Sequence, residues 1–238
     1  MFSVPFEIPH GIELRMRLIV KAILGGGALG ILAVGTLMSW PIKRVPEAIT
    51  LSGDVARGAY LARTAGCIAC HTNVEEGGRP LAGGAGLVTD FGTFYPPNLT
   101  SDPDVGIGSW TVEDFAVALR QGISPDGEPY YPAFSYAFYA DLTDQDIADL
   151  WAAFETVPAV TEAAPENDVS FPFNQRWGLK LWRAAYLYDP PTEPVEDQSD
   201  DWNRGRELVN GVEHCAACHT PRNLVGGRDL AQRFAGNL

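Results

Sequence analysis

Two pentapeptides carry the chemistry of this 238-residue chain: Cys67-Ile-Ala-Cys70-His71 and Cys215-Ala-Ala-Cys218-His219. Together they use all four cysteines. Zinc ribbons place their two cysteine pairs about 15–20 residues apart, whereas these motifs begin 148 positions apart. A dithiol redox pair needs a strand running into a helix and gives the following histidine no role. A disulfide between residues three apart is strained. The chemistry that uses every residue of the motif is covalent attachment of c-type haem. Two thiols bond to the two vinyl carbons of one porphyrin, the two-residue spacer turns the backbone, and the histidine faces the iron. Cys67, Cys70, Cys215 and Cys218 are therefore expected to attach two haem c groups, with His71 and His219 as proximal iron ligands.

The elements that must position these motifs repeat with them. Asp54-Val-Ala-Arg57-Gly58-Ala-Tyr-Leu61 precedes the first and Asp201-Trp-Asn-Arg204-Gly205-Arg-Glu-Leu208 the second, each reading as a capped helix that runs into the motif. Gly77-Gly78-Arg79-Pro80-Leu81 is echoed by Gly226-Gly227-Arg228-Asp229-Leu230, as expected of a duplicated domain. In the first copy a Gly/Pro-rich stretch over 81–108 leads to a helix from Thr111, where Thr111-x-x-Asp114 predicts a capping box, Phe115, Ala118 and Leu119 an apolar face, and Gly122 the end. An aromatic loop over 130–136 and a second boxed helix from Thr143, with Ile147, Leu150, Trp151 and Phe154 inward, complete it. Residues 158–172 read as a linker, a helix with Trp177, Leu181, Ala185 and Tyr188 on one side starts at Asn174, and 190–201 forms a second, acidic linker. Only 19 residues follow His219, against about 85 between His71 and the last helical turn of the first copy, so the second domain is expected to continue past Leu238.

Residues 22–40 contain no charge and are long enough to cross a bilayer as a helix. Arg15, Arg17 and Lys21 precede them, Trp40 suits the far interface, and Pro41 stops the helix. The positive-inside rule then predicts a cytoplasmic N-terminus, although Lys43 and Arg44 flank the other side. A cleaved signal peptide is the alternative, with Ala33-Val34-Gly35 a poor cleavage site. Gly25, Gly26, Gly27 and Gly30 leave room for another helix or are simply tolerated in lipid. Net charge is -13, split into +3 over residues 1–44 and -16 over the remainder. An acidic body behind a basic anchor excludes a general grip on nucleic acid. It also predicts docking onto a basic protein surface. With 46% hydrophobic and 20% charged residues the chain is not a disordered one.

These strings resemble membrane-associated diheme cytochromes c and, more broadly, the multihaem cytochrome subunit of periplasmic alcohol, aldehyde and gluconate dehydrogenases. The resemblance is carried by Phe91-Gly-Thr-Phe94, Pro97-Asn98-Leu99-Thr100-Ser101-Asp102, Gly106-Ile-Gly-Ser-Trp110, Tyr131-Pro-Ala-Phe-Ser-Tyr136, Phe171-Pro-Phe-Asn174 and His214-Cys-Ala-Ala-Cys-His-Thr-Pro-Arg-Asn223. It implies all-α class I cytochrome c domains and passage of electrons from a dehydrogenase toward quinone or an oxidase. The expected organisation is an N-terminal tail and transmembrane anchor at 1–44, cytochrome domain 1 at 45–160, a linker and interdomain helix at 161–199, and the front of cytochrome domain 2 at 200–238. Many members of the family have a methionine, the distal iron ligand, where this chain has Phe134. The only methionines here are Met1, Met16 and Met38, so haem 1 is expected to be five-coordinate or to take Tyr131, Tyr136 or a lysine. His214 reads as a hydrogen-bonded residue of the second crevice, and His10 lies before the anchor.

The expected function is one-electron transfer by a single-pass protein of the bacterial inner membrane, its haem domains in the periplasm. Candidate partners are the membrane, a periplasmic dehydrogenase, quinol:cytochrome c reductase, a terminal oxidase or a photosynthetic reaction centre. A role as a fixed subunit of a membrane complex fits the glycine-lined helix. The competing class is a diheme enzyme of peroxidase or thiosulfate-oxidising type, working at an open iron.

Overall fold

The computed structural model describes residues 10–42, 44–187, 194–213, 215 and 224. They fall into two units, Met1–Pro41 and Ile42–Leu238. The first is one helix, α1 (His10–Ser39), of which Arg15–Ser39 is long and apolar enough to cross a membrane. Its two hydroxyls bond inside the helix, as a lipid setting requires: Thr36 Oγ1 donates to Leu32 O at 2.8 Å and Ser39 Oγ to Gly35 O at 2.9 Å.

The second unit is mostly helical. Asp54 caps α2 (Val55–Thr64) by accepting from Arg57 N, and a single turn, α3 (Cys67–Cys70), follows. Both expected capping boxes are present: Thr111 with Asp114 opens α4 (Val112–Gln121), and Thr143 with Asp146 opens α6 (Asp144–Glu155). Between them lies the short α5 (Tyr136–Tyr139). Gly122 ends α4 in a left-handed conformation, φ 60°, packed so closely that a Cβ would enter the Tyr136 ring. Phe115, Ile147, Leu150 and Phe154 form the centre of the core, with Phe115 tilted against Trp151 and Phe154 at 5.4 Å each. Ahead of α2, the chain is fixed to α4 by an Arg44–Asp114 ion pair and by the Gln121 side chain, which pairs with both backbone groups of Val45.

The joint that closes the core is the α2–α6 crossing. A Cβ at Gly53 or Gly58 would overlap the carbonyl oxygens of Ala148 or Asp149, so the two helices meet backbone to backbone. Asp149, 2% exposed, takes Arg57 as a fork (Nε to Oδ2 2.7 Å, Nη2 to Oδ1 3.0 Å) and accepts from Asp54 N and Gln145 Nε2. The Arg57 bond, the largest influence, lowers the Asp149 carboxyl from 3.8 to about 2 against the opposing effect of burial. A depressed carboxylate stabilises the fold above its unfolded value and loses that contribution as pH falls through the folded one. About 2 kcal/mol is therefore lost on acidification from pH 5 toward pH 2. Asp149→Asn should be less stable by a similar amount at pH 7 and should flatten the acid limb; urea midpoints at pH 7 and pH 2.5 check this, and an unchanged limb contradicts it.

Three differences from the expectations have local causes. To the helices of the all-α expectation the structure adds a small antiparallel sheet in the order β1 (Leu87–Thr89), β2 (Gly92–Phe94), β3 (Asp168–Val169). Gly92, at φ 137°, gives β3 the room to pair, since a Cβ there would overlap Asp168 O. The stretch over 158–172 is bound along its length, because the buried Asn98 and Thr100 need partners: Asn98 donates to Val160 O at 2.7 Å, and Thr100 Oγ1 accepts from Val160 N at 3.1 Å. Finally, α7 (Gly178–Tyr186) starts four residues after Asn174, whose side chain accepts from Gln175 Nε2 instead of capping a helix, and α8 (Asp200–Asn210) is capped by Ser199, two residues earlier than Asp201. Tyr188, expected on the α7 face, lies outside the described residues.

Candidate haem-attachment site

Cys67 and Cys70 stand one helical turn apart, so their thiols leave the backbone on one side. Gly66, left-handed at φ 73°, turns the chain sharply out of α2 and into that turn. Cys70 N then donates to Gly66 O at 3.0 Å and His71 N to Cys67 O at 2.9 Å, which seats His71 at the end of the turn. Its ring is fixed from the other side: Nδ1 donates to Pro97 O at 2.8 Å. A carbonyl only accepts, so Nδ1 carries the proton and Nε2 is left with its lone pair free for a metal. Burial lowers the His71 pKa, more than the Pro97 carbonyl raises it, which favours the neutral imidazole.

Pro97 is brought there by a loop that only a glycine permits. A Cβ on Gly84 would collide with the carbonyl of Cys70. In its absence Gly84 N reaches Pro96 O at 3.1 Å, and Gly83 N reaches His71 O at 3.0 Å. Leu99 N to Leu81 O, 2.8 Å, continues the same stack. Cys67 is half-buried and Cys70 exposed, and neither is in a disulfide. Burial pushes the Cys67 thiol up to about 12.

Facing the turn is an aromatic cluster from the loop between α4 and α6. Tyr139 donates its hydroxyl to Ala65 O at 2.9 Å, beside the cysteines. Its ring meets Phe134 at 5.9 Å, and Phe134 in turn meets Tyr130 at 5.6 Å and Tyr136 at 6.1 Å, edge on. Phe134, like Cys67 and Ile68, packs against the buried core. Tyr131 commits its hydroxyl to Phe173 O at 3.3 Å and lies under Arg176, while Tyr136, 1% exposed, lies under the Arg183 guanidinium at 5.2 Å with its hydroxyl making no hydrogen bond. Behind this cluster opens a cavity of about 1130 Å³, walled by Phe94, Tyr131, Phe134 and Tyr136 and by Phe173 and Trp182. Neither the two cysteines nor His71 lines it; Phe134 is the wall the two regions share.

The structure thus brings Cys67, Cys70, His71 and Phe134 into one neighbourhood. Cys215 is exposed, and Cys218, His219 and His214 lie outside the described residues. Sequence reasoning missed Pro97 and Gly84 as positioning residues, since a carbonyl acceptor and a missing Cβ leave no side-chain signature. It also missed Asp149, for which the repeated Arg-Gly pair and the alanines around position 149 were the available signal.

The residue set fits a covalently held haem: two reduced cysteines on one turn, a neutral oriented imidazole, and an aromatic cluster nearby. Comparison with known proteins agrees. The cytochrome c family model matches residues 55–153. A protein of Cereibacter sphaeroides named diheme cytochrome c-type is 43% identical over 223 residues, 91% of this chain and 75% of its own length. The gluconate 2-dehydrogenase cytochrome c subunit of Pantoea cypripedii is 41% identical over 72% of this chain, and the fructose dehydrogenase cytochrome subunit of Gluconobacter japonicus 42% over 77%. The chain spans 39% and 38% of the length of those two subunits.

Proposed function

The chain belongs to the cytochrome c family that includes diheme c-type cytochromes and the cytochrome subunits of dehydrogenases, and from that premise we propose that it is a membrane-anchored periplasmic carrier of single electrons with two covalent haems. The observation that carries the reading is the setting of His71, whose Nδ1–H is tied to Pro97 O at the end of the turn bearing Cys67 and Cys70. Those three residues would hold one haem, and Cys215, Cys218 and His219 a second, in two cytochrome domains at 45–160 and 200–238. When bound, haem c supplies a one-electron iron couple. The protein's own part is to fix the imidazole, keep it neutral and exclude water with aromatic side chains.

The apolar stretch of α1 and the basic residues near the start of that helix support anchoring through segment 1–44 with the N-terminus in the cytoplasm. Residues 161–199 would join the two domains. The names of the dehydrogenase relatives make a periplasmic dehydrogenase the first candidate donor, with quinone, quinol:cytochrome c reductase, a terminal oxidase or a photosynthetic reaction centre on the accepting side. The -16 body suits a basic docking surface on either partner. The role is electron transfer within an oxidoreductase complex rather than catalysis by this chain.

One observation favours the second reading, a diheme enzyme of peroxidase or thiosulfate-oxidising type. Phe134 offers no donor atom, and Tyr131 already spends its hydroxyl on Phe173 O. Phe134→Met tests both readings in a redox titration of the membrane-extracted protein followed by its visible spectrum. Axial ligands move haem potentials across about 0.8 V, and a new methionine should raise one of the two waves by on the order of 0.1 V and leave the other in place. Carbon monoxide binding to the reduced unmodified protein, lost in the variant, would accompany an open iron. Two waves that do not respond to the substitution would show that Phe134 does not face the first haem.

A further inference from the structure

Residues 169–188 carry three basic side chains, Arg176, Lys180 and Arg183, and no acidic one, in a body that is otherwise strongly negative; Asp168 and Asp189 bound the stretch. The same region leaves large apolar side chains in water. Phe171 and, on β1, Val88 are each 79% exposed, and Leu181 on α7 is 56% exposed. Leu87 and Phe173 are exposed as well. Leu87, Val88, Phe173 and Leu181 line one cavity, so they share a side of the domain, and Phe171 stands two residues from Phe173. Single exposed leucines are ordinary, but a grouped patch of this kind marks a contact surface. Trp182 and Tyr186, paired at 5.5 Å, and Arg176, exposed over the Tyr131 ring, add side chains with an apolar body and a polar tip, the kind that collects at a bilayer interface. Among the described residues lining that cavity, Asp90 is the one acid.

We propose that this patch, made by β1, the Phe171–Phe173 segment and α7, docks onto the surface of a lipid bilayer, its apolar side chains entering the headgroup layer and Arg176 and Lys180 meeting anionic headgroups. Three observations favour lipid as the occupant. The mixture of basic, aromatic and aliphatic side chains is that of an interfacial segment. The charge is complementary here and repulsive elsewhere, since anionic lipid attracts this +3 stretch and repels the acidic remainder, which also orients the domain. The third is the path of the chain. Gln121 pairs through its side chain with Val45 and accepts from Arg183 through its carbonyl at 2.7 Å, so α7 lies at the corner where the chain enters the domain. Val45 follows Trp40 by five positions, a reach of at most about 18 Å. The inference rests on the anchoring proposed above and is independent of the haem reading.

A phospholipid carrying a diazirine in its acyl chain tests it: the full chain is reconstituted into vesicles of phosphatidylethanolamine and phosphatidylglycerol, irradiated, and its lipid adducts are mapped by peptide mass spectrometry. Adducts are expected in two regions, the anchor over 15–39 and the patch over 171–187. Those of the patch should fall at least about fivefold when phosphatidylcholine replaces phosphatidylglycerol. Phe171→Glu combined with Leu181→Glu should cut them at least about tenfold and leave those of the anchor unchanged. Both side chains are exposed, so the fold should persist, as circular dichroism can verify; the lipid exchange needs no variant at all. Adducts in the anchor alone overturn the docking and keep the anchor, and adducts in the patch alone do the reverse. Adducts in neither region overturn both. Patch adducts that respond neither to the lipid exchange nor to the double variant overturn the docking as well, because the label would then have arrived by another route.

Discussion

Replacing Cys67 and Cys70 together by serine should leave one covalent haem per chain in place of two. Serine keeps the size and the turn but forms no thioether, and the remaining link to the first domain would be the His71 imidazole alone. A haem held only by one axial bond is lost on denaturation, whereas a thioether survives it. On a denaturing gel the variant should therefore retain roughly half the haem stain per chain, carried by the Cys215-Ala-Ala-Cys218-His219 motif. The matching Cys215→Ser/Cys218→Ser chain should retain the other half. Full haem stain in either variant would place the attachment elsewhere.

The second large effect belongs to Gly58→Ala. One added carbon would overlap the Asp149 carbonyl and crowd the Ala153 methyl, and both neighbours sit in the rigid backbone or on the face of α6. Neither is a flexible side-chain end that can swing away. The helices must separate, which loosens the Arg57–Asp149 fork and the core beneath it. Overpacking typically costs about 1–3 kcal/mol, and a joint this rigid belongs at the upper end of that range. Gly205→Ala is the internal control. No described residue lies within reach of its Cβ, so it should be neutral or stabilise α8 by up to about 1 kcal/mol. Denaturant unfolding of the two variants should thus differ in sign as well as size; equal effects would contradict the backbone contact.

The contrast between these two glycines shows what was legible in the sequence. The repeat itself was visible, and so were features encoded by neighbours in the chain. Thr111 with Asp114, and Thr143 with Asp146, are three residues apart, and their reciprocal bonds follow from that spacing alone. The positions of Cys67, Cys70 and His71 on a single turn were likewise local. What could not be read was long-range backbone pairing. β3 has two residues, Asp168 and Val169, too few for an alternation to register, and it exists because Gly92 leaves space for it. Asp149 looks like an ordinary polar residue of an amphipathic helix until Arg57 is placed opposite. Pro97 was legible only as part of a family string, because its function in the site is that of a carbonyl. The start of α8 was misjudged by a single competition between two adequate caps, Ser199 and Asp201.

The central claim is that this chain carries two covalently attached haems, and the intact mass of the protein extracted from membranes tests it most directly. The account predicts a single species heavier than its polypeptide by two haem groups, falling to one in the Cys67→Ser/Cys70→Ser chain. A mass equal to the polypeptide alone, or an unmodified protein bearing one haem, would contradict it.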